Sequence, residues 1–138
     1  MAMKLLMIYC ENFAYHPTVK TLDEFEEVTE GKVFGDALVA FIHAEETDEE
    51  DIKRVETKMV KNLKWAAKKN NTKSVLLHSF AHLAETKANP NYTKELFDRV
   101  EARMKNTDYE CDQTAFGYFM DLDIKAPGVS QARIFKSF

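Results

Sequence analysis

Glycine and proline are scarce in this chain, four and three among 138 residues. So few permissive positions leave no flexible linker and little room for a glycine-rich phosphate loop. No P-loop spacing, nucleophile elbow or ordered Ser–His–Asp set is present. Cysteine is rarer still. Cys10 and Cys111 stand far apart with no CxxC spacing, so no structural zinc is expected. They read as two free thiols of a reducing compartment, the cytoplasm. No run reaches the ~18 apolar residues that span a bilayer, so no membrane association is expected. Met1–Cys10 is apolar but short, has only Lys4 as a basic flank and meets Glu11. It reads as a first strand and not as a secretion signal. A basic excess is also missing: 19 basic and 23 acidic residues leave a net charge of -4. Broad non-specific duplex binding is therefore excluded, and a small neutral or positive site for a nucleic-acid end is what remains.

What is present suits one globular domain. A length of 138 residues falls within the usual domain size of about 100–150, leaving no space for a second nucleotide-binding half. Hydrophobic residues at 45% and charged residues at 30% are ordinary for a packed core. Lys4–Cys10 and Ala37–Ala44 are continuous apolar runs of strand length, the pattern of strands buried on both faces. Asn12–Thr18, with Pro17, reads as a loop or short second strand, and Leu22–Val28 as a weak strand or turn before Gly31. Thr47 or Asp48 opens a helix expected over 48–69, with acids in its first turn. Ile52, Val55, Met59, Leu63 and Ala66 share one of its faces. Ser74–Leu77 is a short strand. A second helix follows Pro90, with Thr93, Leu96, Phe97, Val100 and Met104 as its stripe. Phe116–Ile124 and Ser130–Phe138 read as two further strands. The order β(β)βαβαββ predicts an α/β (or α+β) domain with a mixed sheet and two long helices.

Few residues carry obvious chemistry. His78 and His82 have the i,i+4 spacing of a zinc pair, but the strand before them ends too close for both to share a helical face, and no third ligand is near. His43, inside a strand run, reads as a structural or surface histidine. His82 follows a buried strand at a strand-to-helix junction, where α/β sheets place ligands. Phe116-Gly117-Tyr118-Phe119 sets a glycine among aromatics, either for close ligand approach and base stacking or to fill a core. The six acids of Glu45–Asp51 read as a solvated helix start rather than a hard-cation site.

Ala37–Ile42, Ser79-Phe80-Ala81-His82-Leu83 and Ala115-Phe116-Gly117-Tyr118-Phe119, in this order, resemble the archaeal editing domain of threonyl-tRNA synthetase. That module is similar in fold to D-aminoacyl-tRNA deacylase. The first strand and Gly128 also fall in place, so the likeness covers the whole chain at the size of that module alone. It implies hydrolysis of serine wrongly esterified to threonine tRNA, without a cofactor or metal. One missing methyl is worth only about 1–3 kcal/mol in a pocket, so a synthetase needs a second site for fidelity. An aminoacyl ester is already activated. A positioned water, main-chain donors aimed at the oxyanion and the ribose 2′-hydroxyl then suffice.

The resemblance implies a pocket for the terminal adenosine and its aminoacyl group. His82 matches the pocket histidine, and the backbone of Ala81, beside Phe80, faces the substrate. Phe116, Gly117 and Tyr118 line the site, and Ala44 is a small apolar wall. Two positions depart from the pattern. Phe119-Met120 replaces a Tyr-Lys pair, and a thioether offers no charge to an oxyanion. Arg133 replaces a glutamate that holds the substrate's amino group, and a guanidinium would repel an ammonium. The first expectation is an aminoacyl-tRNA deacylase acting in trans on seryl-tRNA(Thr). The alternatives are a D-aminoacyl-tRNA or other small aminoacyl-ester hydrolase, and a degenerate domain that binds adenosine, a tRNA 3′ end or a synthetase. The expected partners are an aminoacylated tRNA 3′ end, threonyl-tRNA synthetase and a second copy of the chain. The acidic net charge predicts little contact beyond the aminoacylated end unless a partner lends a basic surface.

Overall fold

The computed structural model describes residues 3–138, so Met1 and Ala2 of the expected first strand lie outside it. The elements run β1 (Lys4–Lys20), β2 (Lys32–His43), α1 (Ile52–Lys69), β3 (Ser74–Ser79), α2 (Pro90–Lys105), β4 (Glu110–Gln113), β5 (Tyr118–Lys125) and β6 (Arg133–Ser137). Short 3-10 turns occupy Glu46–Glu50 and Ser130–Ala132. One sheet holds all six strands in the order β4–β3–β2–β1–β5, with β6 also on β1. β2, β3 and β4 are parallel and joined by the two helices, whereas β1 is antiparallel to β2, β5 and β6. Leu38, Val39, Ala40, Ile42, Val75, Leu76 and Leu77 are at most 1% exposed. This double-sided burial is why β2 and β3 read as unbroken apolar runs.

Both helices lie on one face of the sheet. α1 buries Val55, Met59, Leu63 and Ala66, and α2 buries Thr93, Leu96, Phe97, Val100 and Met104. They share a core with Leu5, Met7, Leu38 and Leu77. Each such large side chain contributes about 1.5–3 kcal/mol. Glu56 of α1 is 8% exposed and accepts from Arg99 Nε at 2.5 Å and Arg103 Nη1 at 3.1 Å on α2. Burial pushes its carboxyl up, and the two guanidiniums more than offset this and hold it low. The other face carries a second cluster with no helical member, including Cys10, Phe13, Tyr15, Phe41 and Leu76.

Several boundaries differ from the sequence expectation. β1 continues through Asn12–Thr18 as a single strand. Its burial changes phase, falling on Leu5 and Met7, then on Cys10, Phe13, Tyr15 and Pro17. The change falls where the ladder skips from Cys10–Ala37 to Asn12–Gly35 and Asp36 takes φ 52°. The β1–β2 register is the same on both sides of this skipped pair; the ladder of β1 shifts register against β5, between Pro17 and Val19, and a bulge of that kind curls the sheet. Pro17 is tolerated because the β2 ladder has ended at Tyr15–Lys32, leaving only β5 beside it. Leu22–Val28 forms no strand. Gly31 passes so near β1 that a Cβ would stand 1.8 Å from the Tyr15 carbonyl oxygen. α1 begins at Ile52, capped by Asp51 accepting from Arg54 N at 3.1 Å, not at Thr47 or Asp48. Asp48 instead accepts from Glu45 N at 2.8 Å and is only 1% exposed, so the acidic run is not solvated throughout. β3 extends through His78 to Ser79, β4 was not anticipated, and β5 and β6 start at Tyr118 and Arg133.

Candidate functional site

The carboxyl ends of β2, β3 and β4 meet at one end of the sheet, where open α/β sheets place ligands. A cleft of about 420 Å³ opens there. Ala44, Phe80, Ala81, His82, Phe116, Gly117, Tyr118, Phe119 and Met120 all line it. Arg133 does not; it lies exposed on β6 and donates to Pro127 O at 2.6 Å. The cleft therefore lacks the guanidinium that the resemblance placed in it, and ammonium repulsion by Arg133 has no basis there.

The lining is pinned from behind. Phe80 N donates to Ile42 O at 2.9 Å and Ala88 N to Ala44 O at 2.8 Å, tying both ends of the β3–α2 loop to β2. His43 is 1% exposed. Its Nδ1 accepts from Leu83 N at 3.1 Å, which fixes the proton on Nε2, and that nitrogen donates to Thr86 O at 2.6 Å. Thr86 in turn donates to Glu45 at 2.7 Å, and Glu45 pairs with Lys4 at 2.5 Å. His43 is thus a structural clamp on the loop that carries His82.

Opposite stands the β4–β5 connection. Gly117 has φ 83°, a left-handed backbone that suits glycine. Its carbonyl accepts from Thr21 N at 2.7 Å, Thr21 Oγ1 at 3.0 Å and Leu22 N at 3.3 Å. Tyr118 Oη accepts from Val28 N at 3.0 Å. Phe116 packs edge-on against Phe25 at 4.8 Å and Phe97 at 5.8 Å. Phe116 and Tyr118 therefore serve packing as well as lining, and Phe119 alone of the three stays largely exposed, at 59%.

His78, weighed in the sequence only as a zinc partner of His82, and Lys87 are lining residues outside the expected site. His78 is 4% exposed and its Nδ1 lies 2.9 Å from Thr114 Oγ1. Burial, then the neighbouring His82, pushes its pKa down to about 4, so the ring is neutral at pH 7. Its position in β3 could have been read by extending the apolar run one residue. Lys87 is the one lining residue with a formal charge, and it makes no ion pair among the described residues. No sequence pattern marks it. His82 itself is exposed and set edge-on to Phe80 at 4.9 Å. His78 sits on a strand and His82 in the following loop, so they share no helical face, and no metal-holding group of three ligands occurs among the described residues.

The mixed sheet with both helices on one face is a D-aminoacyl-tRNA deacylase-like fold. A solved structure titled "c-Myc DNA Unwinding Element Binding Protein" shares this fold, with a TM-score of 0.63, 10% identity and 98% coverage of both chains. Residues 3–138 match the Archaea-specific editing domain of threonyl-tRNA synthetase, and the chain belongs to that family. Its curated relatives include threonine–tRNA ligases of Methanopyrus kandleri (29% identical over 128 residues), Pyrococcus horikoshii (28% over 129) and Thermococcus sibiricus (25% over 129). Each match covers 91% of this chain but only 20–21% of the relative, so the chain spans about a fifth of their length.

Proposed function

We propose that this cleft hydrolyses the ester of a mischarged aminoacyl-tRNA, with seryl-tRNA(Thr) as substrate and the tRNA delivered in trans. The observation that carries the reading is the convergence of Phe80–His82 and Phe116–Met120 on one cleft of about 420 Å³, within the usual size of small-ligand sites. The exposed Phe119 ring suits stacking on the terminal adenine. Ala44 and Ala81 give the cleft an apolar stretch beside which an aminoacyl side chain can lie.

In the reaction a water oxygen adds to the ester carbonyl carbon, the bond to the ribose oxygen breaks, and the proton ends on that ribose hydroxyl. His82 is exposed in the cleft and is assigned to hold the attacking water. Met120 offers no charge, and Lys87 is the cation that can face the developing oxyanion. Neutral His78, steadied by Thr114, supplies a hydrogen-bonding edge without competing as a charge. Purified protein mixed with Ser-tRNA(Thr) should release serine faster than buffer, and His82→Ala should slow that release about 10²-fold, in the range of general acid–base and water-positioning groups. A wild-type rate equal to buffer rejects the reading.

A binding-only role is favoured by one observation, the thioether of Met120 at the cleft. It predicts that a non-hydrolysable seryl-adenosine analogue raises the melting temperature while no ester is lost. The reading also places the protein in the cytoplasm and makes it a homodimer. The dimer is supported by exposed Leu122 and Ile124 on edge strand β5. Sedimentation at two protein concentrations tests it, with a monomer at both counting against it.

A further inference from the structure

The net charge of -4 hides a segregation. Seven of the chain's 19 basic residues fall within α1, among them Arg54, Lys58, Lys61 and Lys68. The helix's one acid, Glu56, is buried beneath Arg99 and Arg103. None of the seven makes an ion pair among the described residues. Arg54, Lys58, Lys61, Trp65 and Lys68 recur at spacings of three and four, so they form one stripe on the exposed side. At 1.5 Å per residue this stripe runs about 21 Å, starting near the end of the sheet that holds the cleft.

Aromatic rings lie beside three of the seven, Lys58, Lys64 and Lys69, and beside two neighbouring lysines, Lys73 and Lys136. Lys69 and Lys136 each place Nζ 4.9 Å from the centre of the Trp65 ring, which is 43% exposed. Lys73 and Lys64 stand 4.6 Å and 5.9 Å from the Tyr109 ring. A ring face restrains an ammonium without neutralising it, so the charges are held in place and left unpaired. A row of cations about 21 Å long, flanked by ring-restrained lysines and making no ion pair among the described residues, fits a regular polyanion better than a mixed-charge protein surface.

We propose that the exposed face of α1, with Trp65 and Lys136, binds the phosphate backbone of RNA, so that the domain holds its substrate beyond the aminoacylated end. The choice of RNA among polyanions rests on the editing function proposed above. The surface itself does not. This revises the expectation, drawn from net charge, that a partner must lend the basic surface.

The test is fluorescence anisotropy of labelled, uncharged tRNA(Thr) at 50, 100 and 200 mM salt. Uncharged tRNA reports on this face even if no ester is hydrolysed. Lys61→Glu/Lys68→Glu is compared with Lys32→Glu/Lys125→Glu, which changes net charge equally but elsewhere. At 100 mM salt the α1 pair should weaken binding at least tenfold and flatten the salt dependence, while the control pair changes it less than twofold. Melting temperatures within a few degrees of wild type show that both variants fold. Equal weakening by both pairs overturns the proposal, because only bulk charge would then matter. So does an absence of tRNA binding, including the case where vesicles containing phosphatidylserine bind instead.

Discussion

The two faces of the sheet are built on different rules. The helical face is closed: Met59, Leu63, Leu96 and Val100 are fully buried against Leu5, Met7 and Leu38, and the buried Glu56 of α1 is held by two guanidiniums. The other face is only partly covered, by the curl of β1, by loops and by β5, and it opens at its strand ends into the cleft. The first face stores stability. The second holds polar groups such as His78 and Lys87 where packing alone would not put them. A substitution on one face should therefore move melting, and on the other should move chemistry.

The largest stability effect is expected from the closed face. Leu63→Ala should cost about 3 kcal/mol, in the range for a buried leucine with no room to collapse, measured by urea unfolding. Phe119→Ala, on the open face, should cost under about 0.5 kcal/mol while weakening substrate binding. If Phe119→Ala unfolds the protein as readily as Leu63→Ala, the contrast between the faces fails.

His78 ranks next. Its folded pKa near 4 lies below the ordinary 6.5. Between those values the unfolded chain binds the extra proton, so stability falls as pH drops from about 6.5 to about 4. The loss should be roughly 2–3 kcal/mol. His78→Phe should remove that part of the pH slope, read as the difference between the two pH–stability curves. Superimposable slopes contradict the burial of a neutral ring.

Gly117→Ala should cost about 1–2 kcal/mol, since φ 83° is strained for any L side chain and a Cβ would meet Leu22 Cβ at 3.1 Å. Because Gly117 lines the cleft, KM should rise as well, and unchanged kinetics would separate the turn from the site. Smallest is the thiol effect. Burial pushes Cys10 up to about 11 and Cys111 up to about 12. Neither should react with Ellman's reagent in the native protein at pH 8, and both should in denaturant. Rapid native labelling would show that one of them is reached from solvent.

The same contrast explains how much was legible in the sequence. The closed face announced itself through periodicity: the stripes of α1 and α2 and the runs of β2 and β3 are what double-sided or one-sided burial requires. β4 was missed because Glu110–Gln113 buries only Cys111 and shows no apolar run. The full length of β1 was missed because its burial changes phase near Cys10 and Pro17 signals a break. Asp48 was misread because acids that open a helix usually face water, whereas this one closes a buried turn. At the strand-end cleft nine of ten expected residues come together, carried by the Phe80–Leu83 and Phe116–Tyr118 segments. Arg133 does not, because β6 pairs with the first half of β1, away from β5. Lys87 left no trace, since a loop lysine has no period.

The most direct measurement is the ratio of hydrolysis rates for Ser-tRNA(Thr) and Thr-tRNA(Thr) by the purified protein. The cleft described here should favour the seryl ester by about 10- to 200-fold, the discrimination that one methyl provides in an apolar pocket. Equal rates for the two esters, or a seryl rate no faster than buffer, would contradict an editing cleft.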